Sequence, residues 1–158
     1  MDRQPAPHGG DPAAAPGYQV VRTQVRWGDC DPAGIAFFPR FFEWMDLASH
    51  ALAREMGITR EDVLGPASYG FPAVHAQAEF LVPALLDDEI EVRTTIVHIG
   101  RTSLRMRHQL VRMSDGVLLA RGEAVRVHIQ RVPSRAMRPV PLTPAMRRVL
   151  SRYVPAEL

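Results

Sequence analysis

Two carboxylates and a thiol, Asp29, Cys30 and Asp31, lie side by side directly before a stretch with helical periodicity. An ionised carboxylate can act on an acyl carbon as a nucleophile or as a general base. Unpaired N–H groups at the start of a helix can stabilise the oxyanion that forms. An ordinary Asp, with a pKa near ~3.9, is a weak base, so it suits a reactive acyl group such as a thioester better than an amide. The pattern indicates acyl chemistry at Asp29 or Asp31, beside the simpler interpretation that either side chain caps the turn.

The thiol of Cys30 is a second candidate nucleophile in the same turn. The thiolate is the nucleophilic form of cysteine, and anionic carboxylates on either side disfavour another negative charge there. The turn also contains no His that could act as a base for the thiol. We therefore interpret Cys30 as a small packing residue.

The elements that must position this turn follow from the spacing of apolar residues. Alternation from Tyr18 to Trp27 predicts a strand before the turn. A wide apolar stripe predicts a helix from about Pro39 to Met56, and a shorter helix opens at Thr59. Four further alternations predict strands over residues 74–82, 89–96, 104–110 and 117–129, with a hairpin turn at 115–116. Residues 134–142 are interpreted as an irregular connector, and a C-terminal helix is predicted from 143 to about 153.

This order of elements predicts an α+β fold in which a curved antiparallel sheet of about five strands wraps around one long helix. Such a sheet leaves open edges and an exposed face, which pairing with a second copy of the chain would cover. The length of 158 residues favours one domain, over residues 17–158. Residues 1–16 are rich in Pro, Gly and Ala and are predicted to be a disordered tail.

Composition restricts the classes of partner and compartment. The net charge of +2 gives no general attraction to nucleic acid, and no apolar run reaches the ~20 residues that cross a bilayer. One cysteine and the absence of a signal-peptide pattern predict a cytoplasmic protein. All 19 basic residues are Arg, so any bound phosphate must be held by guanidinium groups, backbone N–H groups or hydroxyls.

The segment GDCDPAGIAFFPRFFEWMD, residues 28–46, resembles the turn of the hotdog-fold thioesterases, most closely the 4-hydroxybenzoyl-CoA thioesterase type. The resemblance covers residues 18 to about 130. It implies that Asp31 is the catalytic carboxylate, that the backbone N–H of Phe38 polarises the thioester carbonyl, and that Asp29 holds the turn. The implied reaction converts an acyl-CoA and water to a free acid and CoA, without a metal or a cofactor.

The same resemblance implies the residues that bind the substrate. Gly70 corresponds to a position that lines the acyl pocket, in the same subunit or in its partner, and Phe37 belongs to the aromatic turn beside it. Family members have a cluster of basic residues that contacts the CoA phosphates, and of this cluster the present chain keeps only Arg101. Further candidates for the phosphate contacts are Arg131, Arg135 and Arg138. The implied assembly is a homodimer that forms a homotetramer.

Several functions stay open from the sequence. The aromatic turn suits a flat acyl group such as benzoyl or 4-hydroxybenzoyl, and a short or medium aliphatic acyl group is the alternative. A hydratase on acyl thioesters shares the fold but wants a His–acid pair that this turn lacks. A non-catalytic acyl-thioester-binding module would keep the pocket without needing Asp31.

Overall fold

The computed structural model describes residues 17–66, 68–132, 134 and 136–156. The strands are β1 (Gln19–Gln24), β2 (Tyr69–Gly70), β3 (Ala73–Phe80), β4 (Glu89–Ile99), β5 (Ser103–Arg112), β6 (Leu118–Val127), β7 (Ile129–Arg131) and β8 (Met137–Pro139). The α-helices are α1 (Pro39–Glu55), α2 (Arg60–Leu64) and α3 (Pro144–Ser151). One turn of 3-10 helix, Trp27–Asp29, leads from β1 into the acidic segment.

Five strands form the main sheet in the order β1-β4-β5-β6-β3, and every neighbouring pair is antiparallel. Register shifts interrupt three of the pairings, between Ala73 and His75, Ile96 and His98, and Leu110 and Val111. Such bulges bend a strand and increase its twist. The five-strand antiparallel sheet with one long helix therefore agrees with the sequence prediction, and β1 and β3 are its two edges.

Helix α1 packs on one face of this sheet because its apolar stripe meets the inward-facing residues of the strands. A first core cluster joins Phe41 and Trp44 of the helix start to Ile90, Val92 and Leu110. A second cluster lies at the other end of the helix, where Leu52 and Met56 meet Ile96, Met106 and Leu150. The two clusters divide α1 into a start, which carries the acidic turn, and an end, which α3 covers.

A buried polar pair lies on the helix-facing side of the sheet. The Oγ1 atom of Thr94 and the Nδ1 atom of His108 are 2.9 Å apart, and neither residue is exposed to solvent. The Nε2 atom of His108 is also buried, and none of the residues that the structure describes forms a hydrogen bond with it. Burial, reinforced by the charge of Arg126, lowers the pKa of His108 from 6.5 to about 4, so the ring is neutral at pH 7.

The connector at residues 134–142 differs from the prediction that it is irregular. Residues Met137–Pro139 form β8, which pairs with β7, and β7 pairs with β2, so a second sheet of order β2-β7-β8 exists. The predicted strand over 117–129 also divides at His128, whose N–H leaves the ladder and donates to the Thr102 carbonyl. Strands of two or three residues are too short to show an alternating pattern, which explains why periodicity missed them.

The helix boundaries agree closely with the predicted ones. Thr59 accepts a hydrogen bond from the Asp62 N–H and caps α2, and Thr143 caps α3 in the same way through Met146. The predicted tail at residues 1–16 and the candidate Arg135 lie outside the described residues. Within the described ranges, none of the helices is both long and apolar enough to span a bilayer.

Candidate functional site

The acidic turn, residues 28–36, folds back on itself as a tight loop between β1 and α1. Cys30 and Ala36 form an isolated antiparallel bridge, and the Asp31 N–H donates to the Ile35 carbonyl at 2.9 Å. The Gly34 N–H returns to the Asp31 carbonyl at 2.9 Å, with a φ of 78° at Gly34. A glycine is favoured at Gly34 because this left-handed conformation is strained for a residue with a Cβ. The loop presents Asp31 at a fixed place before α1.

Asp29 ties the acidic turn to its surroundings with both its side chain and its backbone. Its Oδ2 atom accepts a hydrogen bond from the Arg26 N–H at 2.8 Å, and its carbonyl accepts one from the Phe37 N–H at 2.8 Å. Its Oδ1 atom lies 3.5 Å from the Nε atom of Arg40. These contacts restrain the turn against α1 and occupy most of the bonding capacity of this carboxylate.

The carboxylate of Asp31 is only partly used by the fold. Its Oδ1 atom accepts a hydrogen bond from the Ala33 N–H at 2.8 Å, which is the local capping contact expected of an Asp in a turn. Within the described residues, its Oδ2 atom has no hydrogen-bond partner, and the side chain is half-buried. One oxygen therefore orients the group while the other stays available for chemistry.

The start of α1 supplies one backbone donor close to this turn. Pro39 has no N–H, the Arg40 N–H donates to the Phe37 carbonyl at 2.9 Å, and the Phe41 N–H donates to the Phe38 carbonyl at 3.2 Å. Among the residues described, nothing accepts a hydrogen bond from the N–H of Phe38. This donor is the one that the resemblance assigned to the thioester carbonyl, whereas the N–H of Phe37 is taken by Asp29.

An apolar groove of about 220 Å³ opens between the start of α1 and the segment that follows β3. We call it the apolar groove; it is lined by Ile35, Ala36, Phe38 and Phe41 on one side and residues 80–83 on the other. Asp31 does not line it, but it is hydrogen-bonded to Ile35, which does. The groove therefore adjoins the acidic turn and includes Phe38, whose N–H has no acceptor among the described residues.

The other two predicted binding residues lie at the far end of the sheet. Gly70 pairs with Ile129 in the small sheet, and its neighbour Phe71 packs against the second core cluster. Arg101 is exposed in the β4–β5 hairpin, where its carbonyl accepts a hydrogen bond from the Leu142 N–H at 2.9 Å. The 11 residues of β4, about 30 Å of strand, separate this end from the acidic turn. Within one chain, the structure does not bring Gly70 or Arg101 to Asp31.

Sequence reasoning missed three residues that contact the acidic turn, the apolar groove or the segment after Gly70. Arg40 clamps the turn, Phe80 lines the apolar groove, and Arg126 bridges α1 and the segment after Gly70. Arg126 donates to the Phe71 carbonyl at 2.8 Å and forms an ion pair with Asp46. The contacts that matter here gave no local signal, because they join Arg40 to Gly28, 12 residues away, and Arg126 to Asp46, 80 residues away.

A second cavity, of about 480 Å³, lies on the face of the sheet that points away from α1. It is lined by polar residues of β3, β5 and β6, and its charges are paired, Arg107 with Glu123 at 3.0 Å and Arg121 with Glu79 at 2.6 Å. None of the predicted site residues lines it. Throughout the described part of the chain, no three His, Cys, Asp or Glu side chains are grouped so that they could hold a metal ion.

Comparison with known proteins places this geometry in a family. Residues 25–150 match the thioesterase-like superfamily. The chain is 33% identical over 113 residues to the 4-hydroxybenzoyl-CoA thioesterase of Pseudomonas sp. strain CBS-3, which covers 68% of this chain and 80% of that protein. It is 25% identical over 118 residues to a 1,4-dihydroxy-2-naphthoyl-CoA hydrolase of Synechocystis sp., which covers 75% of this chain and 85% of that protein.

A solved structure of the Pseudomonas 4-hydroxybenzoyl-CoA thioesterase superposes with a TM-score of 0.74 at 27% identity, covering 84% of this chain and 99% of that one. The hotdog fold and the thioesterase class predicted from the acidic turn are therefore confirmed at the level of the family. The sheet order, the acidic turn before α1 and these matches lead to one conclusion: the chain belongs to the thioesterase-like superfamily.

Proposed function

We propose that this protein hydrolyses the thioester of an aromatic acyl-CoA, of the benzoyl or 4-hydroxybenzoyl kind, to the free acid and CoA. Asp31 acts as the nucleophile or as the general base that activates water. The N–H of Phe38 donates to the thioester carbonyl and stabilises the negative charge that develops on its oxygen. The proposed reaction uses no metal. CoA is not counted as a cofactor, because it is part of the substrate and leaves as a product.

One observation carries this proposal: within the described residues, one short segment carries a carboxylate oxygen without a partner, on Asp31, and an N–H without an acceptor, on Phe38, and the same segment forms one side of an apolar groove. A preorganised donor beside an apolar groove suits an acyl-transfer site, because it can stabilise the developing oxyanion while the groove holds the acyl group. Relatives named for 4-hydroxybenzoyl-CoA and 1,4-dihydroxy-2-naphthoyl-CoA support a flat acyl group.

The position of Gly70 and Arg101 supports a site shared between two subunits. Strand β3 is an edge of the main sheet, and all but one of its residues are exposed. If β3 pairs antiparallel with β3 of a second copy, Ala73 of the partner subunit comes opposite Phe80 of the first. Gly70 of the partner subunit then approaches the apolar groove. We propose a homodimer of this kind, with Arg101 of the partner subunit on the side of the CoA phosphates, and its further assembly to a homotetramer.

A thiol-release assay over a panel of acyl-CoAs tests the proposed activity. Benzoyl-CoA and 4-hydroxybenzoyl-CoA should be turned over faster than acetyl-CoA and hexanoyl-CoA. A preference for hexanoyl-CoA would favour the aliphatic alternative. Binding of benzoyl-CoA without release of thiol would favour the acyl-thioester-binding module. A cytoplasmic location stays a prediction, which cell fractionation would check.

A further inference from the structure

Phe80, the last residue of β3, contacts three aromatic rings of the helix start. Its ring centroid lies 5.9 Å from that of Phe38, 5.3 Å from that of Phe41 and 6.2 Å from that of Phe42. The interplanar angles of 65° to 75° make every contact edge-to-face, which is a favourable geometry for aromatic pairs. Phe80 is thus the point at which the sheet meets the rings of α1.

The exposure of Phe80 separates it from the rings that form the core. Phe41 and Trp44 are 4% and 5% exposed, whereas Phe80 is 46% exposed although it contacts three rings. Its register partner in the sheet is Ala120, which has a small side chain. A large apolar ring that is held in place but half-exposed has a free face that can contact a ligand.

That free face belongs to the apolar groove. Phe80 lines it together with residues 81–83, opposite Phe38 and Phe41. A thioester carbonyl on the N–H of Phe38 would therefore direct its acyl substituent into the groove and against the Phe80 ring.

We infer that Phe80 is a specificity-determining residue, whose ring forms the wall of the acyl site and favours a flat aromatic acyl group over a flexible chain. The inference rests on the proposed thioesterase function and adds to it a residue from the sheet. A rigid ring packs against another ring with little loss of conformational freedom, whereas an alkyl chain must be ordered. The neighbouring segment of the partner subunit would close the same groove from outside.

Two substitutions change this wall in opposite directions. Phe80→Leu keeps an apolar residue but removes the ring, so kcat/KM for benzoyl-CoA should fall by about 10-fold while that for hexanoyl-CoA changes far less. Phe80→Trp enlarges the wall, so kcat/KM for a naphthoyl-CoA should fall by about 10-fold while that for acetyl-CoA is nearly kept. Leu64→Ala, at an exposed position of α2 with 68% exposure, is the control and should leave both ratios unchanged.

The ratio of kcat/KM between two acyl-CoAs is the decisive measurement, because damage to folding or assembly lowers kcat/KM for all substrates by the same factor. Ratios equal to those of the parent in both Phe80 variants, with an active parent, would overturn the inference and leave the proposed function standing. A parent that releases no thiol from any acyl-CoA would overturn both. Light scattering on each variant confirms that the compared proteins have the same assembly.

Discussion

The carboxylate of Asp29 and the guanidinium of Arg40 lie 3.5 Å apart and join the acidic turn to the first turn of α1. Arg40 also donates to the Gly28 carbonyl at 3.1 Å and to the Glu43 carboxylate at 2.7 Å. The hydrogen bond and charge of Glu43 raise the pKa of Arg40. The positive end of the helix dipole repels a cation at the start of α1. Asp29 and Glu43 offset this repulsion of the Arg40 guanidinium. Their joint effect is to restrain the acidic turn, which carries Asp31, against the first turn of α1.

Replacing Arg40 by Gln should lower the free energy of unfolding only slightly, because partly exposed ion pairs contribute little to stability. Turnover should fall more than this small change suggests, because the turn that carries Asp31 loses a restraint. Urea titration and thiol release measure the two effects. Arg54→Gln, at the exposed end of α1, is the matched control. A large loss of stability with unchanged turnover would contradict the clamp role.

Asp31→Asn should lower kcat by at least about 10²-fold, because an amide is neither a nucleophile nor a base. The fold should persist, since the amide oxygen can still accept the hydrogen bond from the Ala33 N–H. Binding of benzoyl-CoA should be kept, which isothermal titration can measure. Asp87→Asn is a matched control, because Asp87 is exposed and its φ of 70° suits Asn. Full activity in Asp31→Asn would refute the assigned role.

If Asp31 of one subunit and Gly70 of the other form one site, two variants that are each inactive should regain activity when their subunits are mixed. Asp31→Asn lacks the carboxylate, and Gly70→Val narrows the pocket wall. The Cβ added at Gly70 meets only Ile129 Cδ1, at 3.9 Å. After subunit exchange, each mixed dimer has one site with both residues intact, so about a quarter of the parent activity should return. A site within one chain would restore none, and light scattering on the parent should show a dimer or tetramer rather than a monomer.

Arg101→Ala should raise KM for benzoyl-CoA more than it lowers kcat, because a phosphate contact far from the reacting carbon stabilises bound substrate and transition state equally. The effect should be small for a benzoyl-pantetheine thioester, which lacks the nucleotide. Arg60→Ala, an exposed arginine of α2, is the control for general charge loss. Equal changes in KM for both thioesters would show that Arg101 does not contact the CoA phosphates.

His108 should make stability fall at acid pH. Its pKa in the folded state is about 4, below the unfolded value of 6.5, so the unfolded chain binds the proton more tightly. The stabilising effect of the neutral ring is complete above pH 6.5 and is lost as the pH falls towards 4. Between pH 8 and pH 5 this group should remove about 2 kcal/mol of unfolding free energy.

Urea titration of the parent and of His108→Gln at both pH values measures this effect. The variant should be less stable at pH 8, since it loses the imidazole contact with Thr94, but its stability should depend less on pH. Parallel pH profiles for the two proteins would contradict a neutral, buried His108.

The sequence by itself determined the elements that periodicity can encode. The stripe of Phe41, Met45 and Leu52 specified α1, and strict alternation specified β4 and β5, because burial on one face imposes a repeat of fixed length. The acidic turn could also be predicted from the sequence, because Asp29, Asp31 and Gly34 are close together along the chain. The family, the fold and the position of the candidate carboxylate could therefore be predicted.

Only the tertiary structure decided what depends on distant contacts. The clamp by Arg40 and the groove wall at Phe80 have no local pattern, because their partners lie on other elements. The pairing of β8 with β7 was missed for another reason, since strands of three residues are too short to show alternation. The separation of Gly70 from Asp31 was equally invisible, since a linear motif does not state how far apart two segments fold. Side-chain type and spacing fixed the chemistry that this turn can perform, and strand order fixed which surfaces a substrate can reach.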